Sequence, residues 1–478
     1  MNLIKLHKKQ AFFIIGAVIC YILFSYYLER SDFLNLLLLY SGLFYCTWRI
    51  IKATHFNFWT LAGVGVIFRL LFLPAIPNLS QDFYRFLWDG RLLIQGINPY
   101  LFTPKQLLEG ASTALSLTSI DSIAQWQQLI SGMGELNASH YSNYPPINQL
   151  CFAIAALFSK SAILGAVISL RVLIIAADIG ILYFGKKLLE KLNLPVKNIF
   201  WYFLNPFIIV ELTGNLHFEG VMLFFVVWSL YLLHKEKWIW AAVLLGISVS
   251  VKLLPLLFLP LFFKYLLSND KARTSILGLQ LNTRSITKTV LFYLITLGTV
   301  LLTFAPFLSK EFIANFAATI GLWFQNFEFN ASVYYIIRWI GFQTVGWNII
   351  GTVGKILPLL VIAFILSLAF FRRNSTSQKL ITAILLSVSF YFLLSTTVHP
   401  WYVATPLILS VFTRYKFPIV WSFMVILSYA AYGENGFSEN LVLVTIEYTV
   451  VIGCAFIEIF YRNKLHKTKL LAWFNPPI

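Results

Sequence analysis

Apolar runs long enough to cross a bilayer recur from residue 11 to residue 461, and no other feature limits the possible folds so severely. Backbone inside lipid must satisfy its hydrogen bonds internally, which leaves helices or closed barrels. The runs are continuous rather than alternating, so a barrel is excluded and an all-α polytopic membrane protein is expected. Composition agrees. With 59% of 478 residues hydrophobic and 12% charged, the chain has too little polar surface for a soluble core and is too apolar for disorder. Fourteen stretches read as spans: 11–28, 32–49, 57–76, 162–185, 196–213, 218–234, 238–252, 254–268, 289–307, 350–371, 379–396, 402–413, 418–432 and 441–461. The expected count is therefore 13–14 transmembrane helices in a single domain, 1–478. Several stretches fall short of the roughly 20 residues of a perpendicular crossing, so some are half-helices.

The 36 Lys+Arg against 19 Asp+Glu give a formal charge of +17. In a soluble chain that would suggest nucleic acid; here the basic residues sit between apolar runs, as the positive-inside rule requires, and no nucleic-acid partner is expected. With the N-terminus in the cytoplasm and an uncleaved first helix, one side collects Arg49/Lys52, Lys186/Lys187/Lys191, Lys235/Lys237, 264–288, Arg372/Arg373, Arg414/Lys416 and 462–469. The apolar stretch 147–159 would invert that pattern if it crossed, so it reads as a re-entrant or membrane-surface helix. The other side collects the long loop 78–146, 214–220, the region of Lys252, 304–347, 399–402 and 433–440. Separated polar patches on one face read as parts of one site. The four cysteines (Cys20, Cys46, Cys151 and Cys454) have no CxxC spacing and read as small buried hydrophobes.

The most informative stretch runs Ser80-Gln81-Asp82-Phe83-Tyr84-Arg85-Phe86-Leu87-Trp88-Asp89-Gly90-Arg91, then Gly96-Ile97-Asn98-Pro99-Tyr100. Seven residues apart, Asp82 and Asp89 share a helix face. Phe83, Phe86, Leu87 and Leu93 form an apolar stripe suited to a helix on the membrane surface, and the Gly-Ile-Asn-Pro-Tyr segment ends it. On spacing alone these acids could equally pair with Arg85 and Arg91 in a structural helix.

This stretch resembles the first-loop signature of GT-C glycosyltransferases, in particular bacterial mannosyltransferases that use polyprenyl-phosphate-mannose. Weaker parts agree: Tyr144-Pro145-Pro146, Asn215-x-His217-x-Glu219-Gly220, Lys252 before Pro255 and Pro260, 329–335 with Arg338, and His399-Pro400-Trp401-Tyr402. One departure is Gln81-Asp82, where the family often carries two adjacent acids, which weakens a carboxylate-pair metal site. The resemblance implies a GT-C-like fold, a polyprenyl-phosphate-linked sugar donor, a glycan or glycolipid acceptor, inversion, and Asp82 as base. It also implies a bacterial inner-membrane enzyme with its site on the extracytoplasmic face. A divalent cation, Mg²⁺ or Mn²⁺, is allowed but not required.

Glycosyl transfer from a lipid phosphate needs a base for the acceptor hydroxyl and cations for the departing phosphate. Arg69, Lys252 and Arg338 are the candidate cations, each alternatively a snorkelling or salt-bridged side chain. Substrate contacts are further expected from Asp89, Tyr84, Arg85, His217, Glu219 and His399; Asp89 could instead orient the loop. His217 and Glu219 diverge on a helix, with no third ligand near them, so zinc is not expected. Arg171 and Asp178 read as packing partners for other helices, and Glu434 and Glu439 as a solvated outer turn. The competing readings are a lipid or sugar transporter or flippase, and a GT-C enzyme for another sugar.

Overall fold

The computed structural model describes residues 2–53, 56–109, 122–159, 162–267, 275–276, 279–280, 283–325, 327–434 and 436–461. The described residues form helices, with two antiparallel two-stranded pairings among them, Ser275–Ile276 with Leu279–Gln280 and Tyr432–Gly433 with Gly436–Phe437. The basic stretch 462–469 and, within 264–288, residues 268–274, 277–278 and 281–282 lie outside the described residues.

Six of the described helices have the length and composition of a membrane span: Phe33–Lys52, Ile163–Lys191, Thr283–Phe307, Ile350–Phe370, Ser377–Leu394 and Leu441–Tyr461. A seventh is formed if Ile208–Gly214 and Glu219–His234, bent by 112°, count as one broken span. Most of the other expected spans are present as shorter apolar helices, among them Phe58–Leu70, Trp238–Val251, Pro400–Val411 and Phe417–Ala431, whereas 196–213 is divided among Val196–Ile199, Phe200–Phe203 and Ile208–Gly214. The physical reason is proline and irregular winding. Pro255 and Pro260 sit in a 3₁₀ segment, Leu254–Leu261, and Pro400 opens another at Pro400–Val403. The stretch 147–159 is a helix, Pro146–Ser159, of 14 residues, about 21 Å at 1.5 Å per residue and short of the bilayer core.

The chain divides into two compact units. One comprises Met1–Phe72, Lys186–Glu211 and Glu328–Ile478; the other comprises Leu73–Gly185 and Leu212–Phe327. In the first, the Asn2–Tyr26 and Phe33–Lys52 helices pack as a hairpin, and Ser377–Leu394 packs on Ile350–Phe370 and Ala404–Val411. Asp32 and Asn57 cap the helices that follow them by accepting from the Asn35 and Thr60 amides, at 3.2 and 2.8 Å. In the second, Glu219–His234 packs on Trp238–Val251, which packs in turn on Thr283–Phe304.

The same second unit holds the long loop after residue 78. Its central helix, Asp82–Ile94, packs against Pro146–Ser159 and Trp126–Ala138. A Schellman motif ends it: Gly96, at φ +76°, donates its amide to the Leu93 carbonyl, and Ile97 donates to the Leu92 carbonyl, both at 3.0 Å. The apolar stripe Phe83, Phe86 and Leu87 is buried inside this unit rather than laid open. Gly90 allows that packing, since a Cβ there would stand 2.3 Å from the Phe152 carbonyl oxygen.

Candidate active site

Asp82 is the first residue of its helix, half-buried, with its amide donating to Ser80 Oγ at 3.3 Å. A helix N-terminus favours a negative side chain, so the site suits an ionised carboxylate. Tyr84 packs on the Trp126–Ala138 helix, where a Cβ on Gly132 would meet its ring at 2.6 Å.

Two turns on, Asp89 is fully buried and receives three donors. Arg85 Nε lies 2.8 Å from Oδ1, while Ser142 Oγ and Gln149 Nε2 donate to Oδ2 at 2.5 and 2.9 Å. Arg85 Nη1 also donates to the carbonyls of Asn137 and His140, at 2.6 and 3.0 Å. The Gly-Ile-Asn-Pro-Tyr segment is tied into the same unit. Tyr100 donates its hydroxyl to the Tyr144 carbonyl at 2.5 Å, accepts from Asn315 Nδ2 at 3.0 Å, and packs on Phe304, Phe307 and Phe312.

A second polar group belongs to this unit. At the break before Glu219–His234, Leu216 has a φ of +61°, and His217 and Glu219 are both buried. Lys252, at the end of Trp238–Val251, forms an ion pair with Glu219; its side chain is 33% exposed and that of Glu219 only 3%, so the ammonium is the reachable partner. Two contacts bring this turn to the Asp82 helix. The Leu79 amide, three residues before Asp82, donates to Asn215 Oδ1 at 3.0 Å. Phe86, one turn after Asp82, meets Phe218 edge-on with ring centroids 5.8 Å apart, and Phe152 packs on both. Asp82, His217, Glu219 and Lys252 are therefore parts of one local structure.

The remaining expected residues, Arg69, Arg338 and His399, belong to the other unit. Arg69 is fully buried, donates to the Gly65 and Phe203 carbonyls at 3.0 and 2.8 Å, and lies over the Phe203 ring. Arg338 pairs with Glu328 at 2.8 Å. His399 stacks on Trp401 and contacts Phe329, which bridges to Thr397. Glu439 is not part of a solvated turn: it accepts from the Asn330 amide at 2.6 Å and from the Tyr335 hydroxyl, and burial raises its carboxyl above the usual range. The sequence reading missed it because a Glu between Ser438 and Asn440 carries no sign of a partner 109 residues away.

His140 gives this loop a measurable pH response. Burial, and next the Arg85 charge, push its imidazole from 6.5 down to about 4. The unfolded chain then takes up a proton between those values that the folded chain refuses, so stability is full above pH 6.5 and falls as the pH drops towards 4. The loss should reach on the order of 3 kcal/mol for this group and stop below its folded value. Thermal unfolding in detergent at stepped pH should show that slope, and His140→Gln should flatten it.

Among the described residues, no three His, Cys, Asp or Glu side chains gather as a group that could hold a metal ion. Two family models match the chain. One, described as alpha-(1->6)-mannopyranosyltransferase, N-terminal domain, covers residues 30–268; the other, mannosyltransferase (PIG-M), covers residues 213–457. They overlap across the stretch that contains His217, Glu219 and Lys252. No curated protein matches the sequence.

Proposed function

This chain belongs to the GT-C membrane mannosyltransferases, since each of the two family models matches at least half of it, and on that premise we propose that it moves mannose from a polyprenyl-phosphate carrier to a glycan or glycolipid acceptor, with inversion and with Asp82 as general base. The observation that carries this reading is the meeting of the Asp82 helix with the turn of His217, Glu219 and the Lys252 ion pair.

In the proposed step, Asp82 takes the proton of the acceptor hydroxyl as its oxygen attacks the anomeric carbon. The bond from that carbon to the carrier phosphate breaks on the opposite side, and the electron pair leaves with the phosphate. A single displacement of this kind inverts the anomeric centre. The base contributes typically 10²–10⁴-fold. Lys252 stands ready for the charge that develops on the phosphate, its ammonium oriented by Glu219. His217, at the same turn, is placed to hydrogen-bond the sugar. A lipid-borne donor also suits a site on the extracytoplasmic face of a bacterial inner membrane, where nucleotide sugars are absent. The basic clusters between the apolar runs, which the positive-inside rule puts in the cytoplasm, support that side.

The test is donor choice. Purified protein in lipid nanodiscs is given labelled polyprenyl-phosphate-mannose or labelled GDP-mannose, with glycan and glycolipid acceptors. Label should pass to acceptor only from the lipid donor, with release of polyprenyl phosphate in equal amount. Transfer from GDP-mannose alone would overturn the donor assignment and leave the enzyme class standing.

A further inference from the structure

Gln81, at the N-cap of the helix that presents Asp82, makes no side-chain cap, and the Asp82 amide meets Ser80 Oγ at a long 3.3 Å. Gln81 instead reaches sideways to the Met133 carbonyl, at 3.1 Å. The densest set of buried polar contacts on the helix lies two turns further on, around Asp89. There the donors Ser142 and Gln149 come from 53 and 60 residues away, outside every motif read from the sequence. We propose that Ser142 and Gln149 are positioning residues for transfer: acting through Asp89 and Arg85, they set the placement of the helix whose first residue is Asp82.

The geometry is that of a closed latch. Arg85, Asp89, Ser142 and Gln149 are each no more than 2% exposed. Gln149 Nε2 donates to Ser142 Oγ at 2.8 Å as well as to Asp89, so the two donors brace one another. Asp89 accepts from both on one oxygen and from Arg85 on the other, and Arg85 anchors the Asn137 and His140 carbonyls. The helix is thereby bound to the segment 137–149 at several points on one face. Arg85 lies three residues after Asp82, on neighbouring turns of that face. A helix has little internal freedom, so a shift at Asp89 or Arg85 is carried to Asp82. In a reaction that needs base and acceptor oxygen within hydrogen-bond reach, displacement by about 1 Å costs up to about 10²-fold in rate.

The proposal rests on Asp82 being the base, and the experiment separates the two. Wild type, Ser142→Ala, Ser142→Thr, Gln149→Met and Asp82→Asn are purified, taken only as monodisperse protein, and assayed in nanodiscs with polyprenyl-phosphate-mannose. Ser142→Ala and Gln149→Met should each lower kcat about 10- to 100-fold while donor KM stays within about 2-fold. Ser142→Thr keeps the hydroxyl and should recover most of the rate. Amide hydrogen exchange over 82–94 should quicken in Ser142→Ala and return towards wild type in Ser142→Thr. Wild-type kcat in Ser142→Ala or Gln149→Met, with only the melting temperature lowered, would overturn the positioning role and leave a loop-stabilising network. Failure of the base assignment appears separately, as undiminished turnover in Asp82→Asn. Should Ser142→Ala not fold, Gln149→Met and the Thr variant carry the same comparison.

Discussion

Asp82→Asn is expected to lower kcat by about 10²- to 10⁴-fold, the usual contribution of a positioned base, with donor KM little changed. Asparagine keeps the shape of the side chain and removes its ability to hold a proton from the acceptor. The cost to stability should be small, because the carboxylate is half-buried at a helix N-terminus, where its charge contributes roughly 0.3–1 kcal/mol. A monodisperse variant with a near-normal melting temperature and almost no turnover is the expected result. Asp82→Glu should retain part of the activity, limited by the extra methylene. If Asp82→Asn turned over like wild type, Asp89 would not inherit the role, since its carboxylate is enclosed by Arg85, Ser142 and Gln149. Glu219, on the turn beside the same helix, is likewise held in its Lys252 ion pair and only 3% exposed, so the base would then have to be sought elsewhere.

Much of the architecture was legible because lipid imposes strict rules on a chain. Apolar length and basic turns locate helices without reference to partners, and the fourteen expected stretches coincide with helical segments. Length itself was less legible. Proline and π or 3₁₀ winding break helices such as Ile208–Gly214 and Leu254–Leu261 into pieces, while the apolar character runs on unbroken. The Asp82 helix was read closely, since its glycine stop and acidic start are local signals. The contacts of Asp89 were not, because Ser142 and Gln149 are uncharged and distant in sequence. Arg69, Arg338 and His399 look alike in sequence to Lys252, yet belong to a different unit. Spacing along the chain records which residues are polar and leaves open which of them face one another. The transporter alternative is answered by the two mannosyltransferase family matches.

Arg171→Met should be the most damaging change to the fold. The sequence reading made Arg171 a packing partner for other helices, and its partners are backbone carbonyls. Its Nε donates to Thr213 O at 2.8 Å, Nη1 to Leu73 O and Ala75 O at 2.8 and 2.7 Å, and Nη2 to Gly214 O at 2.8 Å. These acceptors lie just beyond the Phe58–Leu70 helix and at the end of Ile208–Gly214, where a broken helix leaves carbonyls unpaired; those of Ala75, Thr213 and Gly214 are buried and that of Leu73 is half-buried. Methionine preserves the apolar stem and removes every donor. Each buried carbonyl left unsatisfied costs about 1–3 kcal/mol, so the three buried ones sum to about 3 kcal/mol or more, a large part of a typical stability of roughly 5–15 kcal/mol. Extraction yield and melting temperature should both fall steeply. Arg171→Lys should recover only part of the loss, because one ammonium cannot span the fork of a guanidinium. Thr213 and Gly214 immediately precede the turn of Asn215, His217 and Glu219, so the same guanidinium holds the strained approach to the site. A folded Arg171→Lys protein is therefore expected to lose turnover beyond what its stability alone would dictate. A melting temperature for Arg171→Met equal to wild type would show that the carbonyls find other donors.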